Sequence, residues 1–568
     1  MAHKRKPSQS LKSGLKLAKK TVKSYSDKEK TISILLLVVF LLSGWKILSG
    51  NWEGRDIVNV VQGGHNYNEG LIGEIQHLNP VFADLNEVDR DISSLVFEGL
   101  SKFDDTGKIS ENIATHTLDE TQTIYTFVLH DDLTWHDGEL VTADDIYFTY
   151  HDIIQHPEFE NPILKNSFSS VTVEKINEKT VTMTLNDPNS FFFTQLTIGL
   201  LPEHILKDVP VTDLDTHEFN QNPVGNGPYE VKSPYQVNSD GSSEVKLNYY
   251  NNYWTGASPD ITEINFVAFP TYEELLEGRG RIHGAARVPK YRLEETTEER
   301  FAAYEYQLPQ YTALFMETDD DRLLKRNLRL AIQKSINKQE ILEAVGYDHL
   351  IDTPLLELDQ EDWIYQANSE EAMGALYDEG WFLDEETGLR MNDEDEVLSL
   401  SLVRQSFTNN EKQEEVTDLT AKAIASQLSN VGIVVTIETY ENEAFQQKVS
   451  ERDYDLLLLG QSLGYNLDTY SYWHSSQAGT GLNFSNYGNN KADFFIEAIR
   501  NSFGDEEDEK EEYLQSLAET IKEDVPAVFL YTPTYYFLAD SRIENINTSN
   551  LLFPHDRFAN ILDWKVTK

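Results

Sequence analysis

The sequence predicts an α/β protein of two or three domains, on three observations. Its 568 residues are too many for one ordinary domain, and 40% of them are hydrophobic, enough for more than one sizeable core. The stretch from Ile124 to Ile154 changes from a period of two to helical spacing across an Asp-Gly turn. From Tyr311 onward, short apolar strands alternate with helical segments.

The chain begins with an arm of opposite sign to the rest. Ten Lys or Arg and two Asp or Glu in residues 1–30 give it +8, so of the net −49 the remainder carries −57. A polyanionic body is repelled by phosphate backbones, which argues against a nucleic-acid partner. After the arm, Ile32 to Leu48 reads ISILLLVVFLLSGWKIL, long enough to cross a bilayer if Lys46 snorkels and Trp45 sits at the interface. We read 1–30 as a basic cytoplasmic arm, 31–49 as a transmembrane anchor and 50–56 as a linker, with the body outside by the positive-inside rule. A cleaved signal peptide is the alternative, although its charged region would be long and no A-x-A site follows. Leu42-Ser43-Gly44 opens like a lipoprotein cleavage box, but Trp45 stands where an acylated cysteine would be, and the chain has no cysteine. Disulfides, thiolate metal sites and cysteine catalysis are therefore absent.

The body opens with a strand at Ile57 to Val61. Its most informative stretch runs from Leu129 to Tyr150, LHDDLTWHDGELVTADDIYFTY. A half-buried strand, Ile124 to Leu129, leads to the Asp137-Gly138 turn. Thr142 then stands three residues before Asp145, the spacing of a capping box, and Ile146, Tyr150, Ile153 and Ile154 form one apolar helical face. Val171 to Ile176 and Thr180 to Leu185 read as a hairpin. Further on, Tyr311 to Met316 is a strand, Arg326 to Asn337 a helix, Leu398 to Val403 a strand, Val416 to Leu428 a helix, and Val434 to Thr439 and Tyr454 to Leu459 strands. Asp505 to Glu512 lacks the glycine and ligand spacing of a calcium loop and reads as a solvated helix start.

Several short motifs recur in a fixed order. They are Leu78-Asn79-Pro80, Phe97-Glu98-Gly99-Leu100, Trp135-His136-Asp137-Gly138 with Thr142-Ala143 and Asp145-Ile146, Leu201-Pro202-Glu203-His204, Gly225-Asn226-Gly227-Pro228-Tyr229, and Tyr253-Trp254. Together they resemble bacterial extracellular solute-binding proteins of family 5, the oligopeptide and dipeptide class, from Ile57 to Trp564. Gly278 to Ala286 departs from the family's usual strand entry. The resemblance implies a two-lobed periplasmic-binding-protein-like fold of the peptide-binding type, with an extra subdomain, which here follows the one N-terminal transmembrane helix read from the apolar run. It places lobe 1 at 57–304 with the subdomain at about 101–200, lobe 2 at 305–526, and a return to lobe 1 at 527–568. The function implied is a membrane-anchored extracytoplasmic receptor, periplasmic or at the cell surface. It would bind peptides or a related small solute in the interlobe cleft and pass them to the permease subunits of an ABC transporter, as a monomer and without a cofactor.

By the same resemblance, Asp84 and Asn86 face the cleft from lobe 1, and Gly460, Ser462 and Gly464 lie on the lobe 2 segment that pairs with the peptide. Tyr465, Trp473, Asn483 and Tyr531 are assigned to the cleft lining, with core packing the alternative for Trp473 and Tyr531. Gly464 stands where the family carries an aspartate that pairs with the peptide's α-ammonium. Asp468 is the nearest substitute and Asp84 the second.

Two rival chemistries are weighed against this reading. Gly460-Gln461-Ser462-Leu463-Gly464 follows an apolar strand and has His474 and His555 downstream, as a serine hydrolase elbow would. The residues after it, however, read as a polar, aromatic loop and not as a helix. His130, His136, His151 and His156 cluster in sequence, but no pair has the spacing that puts two ligands on one helical face, so no metal site is expected. The adjacent acids Asp131-Asp132 and Asp144-Asp145 read as helix caps and surface charge in an acidic chain.

Overall fold

The computed structural model describes residues 66–83, 86–358, 363–407, 410–464, 468–503 and 507–567, all within one unit, Gly64–Lys568. The arm, the anchor, the linker, the strand expected at Ile57 to Val61, Asp84 and Tyr465 lie outside the described residues. Among those described, no helix is long and apolar enough to cross a membrane.

Two large sheets organise the molecule. We label the elements that build the site β1 (Asn66–Ile72), α1 (Glu87–Val96), β2 (Phe301–Gln307), β3 (Gln310–Met316), β4 (Ser399–Gln405), α2 (Glu411–Ser429), β5 (Leu456–Ser462), β6 (Ala527–Thr532) and β7 (Thr534–Asp540). The first sheet runs β2, β7, Gly284–Pro289, β1, Glu263–Phe269, Ser243–Tyr249 and Tyr229–Val231, with Gln236–Val237 on Ser243–Tyr249. The second runs His349–Leu350, β6, β3, β5, β4 and Val434–Tyr440. A four-stranded antiparallel sheet, Ala114–Leu118, Ile124–Leu129, Thr180–Thr184 and Thr172–Asn177, forms the subdomain beside the first.

The chain crosses between the two large sheets twice, at adjacent places. β2 ends at Gln307 and β3 begins at Gln310, with Leu308-Pro309 between them. β6 ends at Thr532 and β7 begins at Thr534, with Pro533 between them. Proline has no N–H to give a ladder, so each crossing ends one sheet before the next begins. Thr532 Oγ1 donates to the Gln310 carbonyl (2.5 Å) and Gln310 Nε2 to Tyr535 Oη (3.0 Å), which ties the crossings together. Ala527–Thr532, expected to begin the return to lobe 1, pairs with β3 in the second sheet; the return starts after Pro533.

The strand-turn-helix stretch folds as its residues dictate, with one difference. Thr142 and Asp145 form the capping box, and Trp135, Ile146, Tyr150, Ile153 and Ile154 are buried. The helix Ala143–Tyr147 then widens into a π-helical segment, Phe148–Ile154. Within it Thr149 Oγ1 donates to the Asp145 carbonyl (2.7 Å) and accepts from the Leu201 N–H (2.8 Å), an interaction that hydrophobic spacing does not report.

Candidate functional site

The recurrent motifs come together in lobe 1, around the C-terminal end of α1. The Gly227 N–H donates to the Val96 carbonyl (2.8 Å), and the Glu98 N–H donates to Asn226 Oδ1 (2.9 Å). A side chain at Gly225 would place its Cβ 1.9 Å from the Val96 carbonyl oxygen, which is why only glycine fits there. His136 grips the same turn: its Nδ1 accepts from the Gly225 N–H (3.1 Å) and its Nε2 donates to the Gly227 carbonyl (3.0 Å). Tyr253 Oη (2.5 Å) and Trp254 Nε1 (3.0 Å) donate to the buried Glu98 carboxyl, whose pKa burial pushes up. These motifs are a scaffold that holds α1 in place.

α1 in turn presents residues to a cavity of about 840 Å³ between the two sheets' lobes. Lobe 1 contributes Arg90, Phe97, Phe168, Ile198 and Phe553; lobe 2 contributes Phe445, Arg452, Tyr472, Phe484 and the segment Leu459 to Gly464. The size and the mostly apolar wall suit a small-molecule or peptide site. The Arg90 guanidinium lies 4.2 Å from the centre of the Phe553 ring. Arg452 is directed at carbonyls, donating to Val449 (3.0 Å) and Gly481 (2.7 Å), and so holds the loop that forms one rim.

The backbone of β5 is the cleft's most distinctive surface. β3 pairs with it along its whole length, Gln310 opposite Ser462 through Met316 opposite Leu456. On the other side, the β4 ladder covers only Leu456 to Leu458. From Leu459 to Ser462, β5 is therefore bound on one side only among the described residues, and these four residues line the cavity.

The residues singled out from the sequence divide accordingly. Gly460, Ser462 and Gly464 lie in the cleft wall. Gly464 has φ +52°, and a Cβ there would meet the Phe553 ring at 2.3 Å, so Phe553 fills the space a side chain would need. Asn86 caps α1: its Oδ1 accepts from the Val88 N–H (3.0 Å) and its Nδ2 donates to the Glu74 carbonyl (2.8 Å). Asp468 lies in a side cavity of about 390 Å³ and faces Arg500 (3.0 Å); burial raises its pKa against the pull of that guanidinium. Trp473 is buried in lobe 2 against Phe315 and Phe529, and the Asn483 amide donates to the His474 (3.2 Å) and Tyr487 (2.8 Å) carbonyls. Neither Trp473 nor Asn483 is among the cleft-lining residues, because aromatic and amide side chains serve cores and loops as readily as binding sites. Tyr531 is buried with its hydroxyl 3.0 Å from Thr420 Oγ1 and lines a second, smaller cavity.

No nucleophile elbow is present at Ser462. It is the last residue of a strand and is paired with Gln310; the next helix among the described residues, Tyr470–Trp473, has four residues. His474 is turned to Ser476 Oγ (2.8 Å) and Glu497 (3.4 Å). Among the described residues, no three His, Asp or Glu side chains converge as metal ligands.

Known proteins share this two-lobed α/β frame. The model described as bacterial extracellular solute-binding proteins, family 5 Middle, matches residues 108–483, well over half the chain. The chain belongs to this family. A family 5 member is a solute receptor and not an enzyme, so the hydrolase reading is set aside. The oligopeptide-binding protein AppA of Bacillus subtilis is 24% identical over 555 residues, covering 94% of this chain and 98% of AppA. The probable D,D-dipeptide-binding periplasmic protein DdpA of Escherichia coli is 23% identical, covering 75% and 79%. The structure of the same AppA with a nonapeptide shares the fold at TM-score 0.65 and 23% identity, covering 89% of this chain and 99% of AppA. CtaP of Listeria monocytogenes shares it at TM-score 0.71 and 22% identity, covering 89% and 100%.

Reading the sequence alone missed the buried ion cluster that fastens this family 5 chain's C-terminal segment. The Arg557 guanidinium contacts Glu69 on β1 (2.9 Å) and Asp91 on α1 (3.0 Å), and Arg287 reaches Asp91 from the other side (2.5 Å). Burial would raise the Asp91 pKa, but Arg287 and Arg557 outweigh it and hold it at about 2. Glu69, also beside Arg557, is pushed up by burial. Lone arginines hundreds of residues from their partners carry no local signal.

Proposed function

We propose that this chain is a membrane-anchored extracytoplasmic receptor that binds peptides, or a related small solute, in the interlobe cleft and delivers them to an ABC transporter. The observation that carries the peptide reading is the open edge of β5. An extended peptide can complete the ladder that β4 leaves at Leu458, gaining main-chain hydrogen bonds that tolerate many side chains. The cavity is large and apolar enough to hold side chains on either side of that strand. The names of AppA and DdpA, an oligopeptide-binding and a D,D-dipeptide-binding protein, support the same ligand class. In this reading Gly460, Ser462 and Gly464 back the peptide and Tyr531 borders one of its side chains.

The test is mass spectrometry of material released by denaturing the purified full chain after incubation with a tryptic peptide pool. Enrichment of a peptide subset is expected; recovery of no peptide would overturn the peptide reading.

The anchor belongs to the same proposal, resting on the basic arm, the apolar run and Trp45 in place of a cysteine. Protease added to spheroplasts should digest the body and leave a small N-terminal fragment. Soluble protein beginning near Asn51 would refute it. The body is taken to act as a monomer, which light scattering of the detergent-solubilised chain would check.

A further inference from the structure

The second cavity, about 310 Å³, shares Leu459, Gly460, Gln461 and Ser462 with the main cleft, so the open end of β5 is a wall common to both. Its other walls are unusual for this chain. Gln310 comes from β3, Gln405 from the last position of β4, Gln413 and Thr417 from the start of α2, and Tyr347 and Tyr531 join them beside apolar residues such as Val416 and Phe407. None of its described lining residues is charged, although 25% of the whole chain is Asp, Glu, Lys or Arg.

The hydrogen-bonding state of these groups limits what can enter. Gln310 and Gln405 are occupied, donating to Tyr535 Oη (3.0 Å) and Asn442 Oδ1 (3.1 Å). The Tyr311 hydroxyl donates to Gln461 Oε1 and so holds that side chain on the Tyr311 face of the sheet, opposite the face that carries Leu458, Tyr531 and Val416. Among the described residues, the Gln413 side-chain amide and the Tyr347 hydroxyl make no hydrogen bond. Burial pushes the Tyr347 phenol pKa up, so it stays neutral. The cavity thus offers neutral donors and acceptors with no counter-charge. An ionised side chain would lose its hydration there without compensation, and an alkyl side chain would cut amides off from water.

We propose that this cavity is a side-chain subsite of the cleft that selects an uncharged hydrogen-bonding group, the carboxamide of a glutamine or asparagine residue in the peptide, and rejects charged side chains. The proposal rests on the peptide-receptor reading and narrows its ligand class. A carboxamide can accept from the Gln413 amide or the Tyr347 hydroxyl and donate to the Gln413 amide oxygen, as the cavity's neutral groups require.

The experiment uses hexa-alanine peptides carrying Gln, Glu, Lys or Leu at each position in turn, with affinity for the full chain read by calorimetry. At one position Gln is expected to exceed both Glu and Lys by about tenfold or more, and Leu by a smaller factor. The acidic body's general field cannot produce this pattern, because it would penalise Glu and favour Lys. Gln413→Glu, a residue that suits a helix's first turn, should turn the preference at that same position toward Lys. If Gln never outranks both charged residues at any position, the subsite is refuted. The same holds if Leu equals Gln, or if Gln413→Glu leaves the ranking unchanged. If no peptide of the set binds, the peptide reading falls and the subsite with it, an outcome the tryptic-pool measurement registers independently.

Discussion

Arg557 shows how much of the first lobe depends on single side chains. It is fully buried between Glu69 and Asp91, so removing it leaves two buried carboxyls without their shared cation. Arg557→Met should lower the unfolding free energy by about 3–5 kcal/mol, measured by denaturant melts. The pH dependence has a definite sign. Asp91 is held at about 2, below its ordinary unfolded value near 3.9, so its contribution is present above about pH 4 and is lost as pH falls toward 2. Asp91→Asn should flatten the acid limb of the stability curve over that window. Asp468 presents a different case. Its carboxylate faces Arg500, but burial outweighs that pairing and raises its pKa, so Asp468→Asn should change stability by less than about 1 kcal/mol. Peptide affinity should change by less than about threefold. A tenfold loss of affinity with unchanged stability would instead make Asp468 the partner of the ligand's ammonium.

At the scale of elements, the proposed recognition rests on β5 outrunning β4. Among the described residues, the four beyond Leu458 have a ladder on the β3 side alone, which leaves backbone groups for a peptide to pair with in this proposal. Ser462→Ala should therefore leave peptide affinity nearly intact. Methylating the peptide's own backbone nitrogens one at a time should weaken binding by about tenfold at alternate positions, because successive N–H groups of a strand point to opposite edges. Equal tolerance at every position would show that the peptide does not add to the sheet. α1 is positioned for the same purpose from the other lobe: its far end is gripped by the Gly225-Asn226-Gly227 turn, while Arg90 and Phe97 reach the cavity.

At the scale of the whole molecule, the two large sheets are joined by two short crossings, Leu308-Pro309 and Pro533, lying side by side. Two adjacent connections of one or two residues form a hinge, since rotation there disturbs neither ladder. A ligand that touches both walls of the cleft binds the closed arrangement better and shifts the population toward it. Small-angle scattering of the full chain in detergent should give a smaller radius of gyration with saturating peptide, with a concurrent change in tryptophan fluorescence. A ligand-independent radius would argue for a fixed cleft.

The sequence by itself determined the elements whose signals are local. The capping box at Thr142 and Asp145 and the strand expected at Tyr311 to Met316, observed as Gln310–Met316, follow from patterns over a few residues. Gly225-Asn226-Gly227 was legible only as part of a motif, and the fold alone showed that the Val96 carbonyl leaves no room for a side chain at Gly225. Three of the motifs that carried the family resemblance, those at Glu98, Asn226 and Tyr253-Trp254, proved to be scaffold around Glu98, since such a pattern marks what a fold needs as readily as what a ligand touches. Tertiary structure alone decided that Trp473 and Asn483 are interior, that Asp468 is matched to Arg500, and that Phe553 closes the space beside Gly464. It also decided where β4 stops along β5. Each of these is a contact between segments tens to hundreds of residues apart, and such contacts arise from packing after local structure has formed, so the local pattern does not encode them.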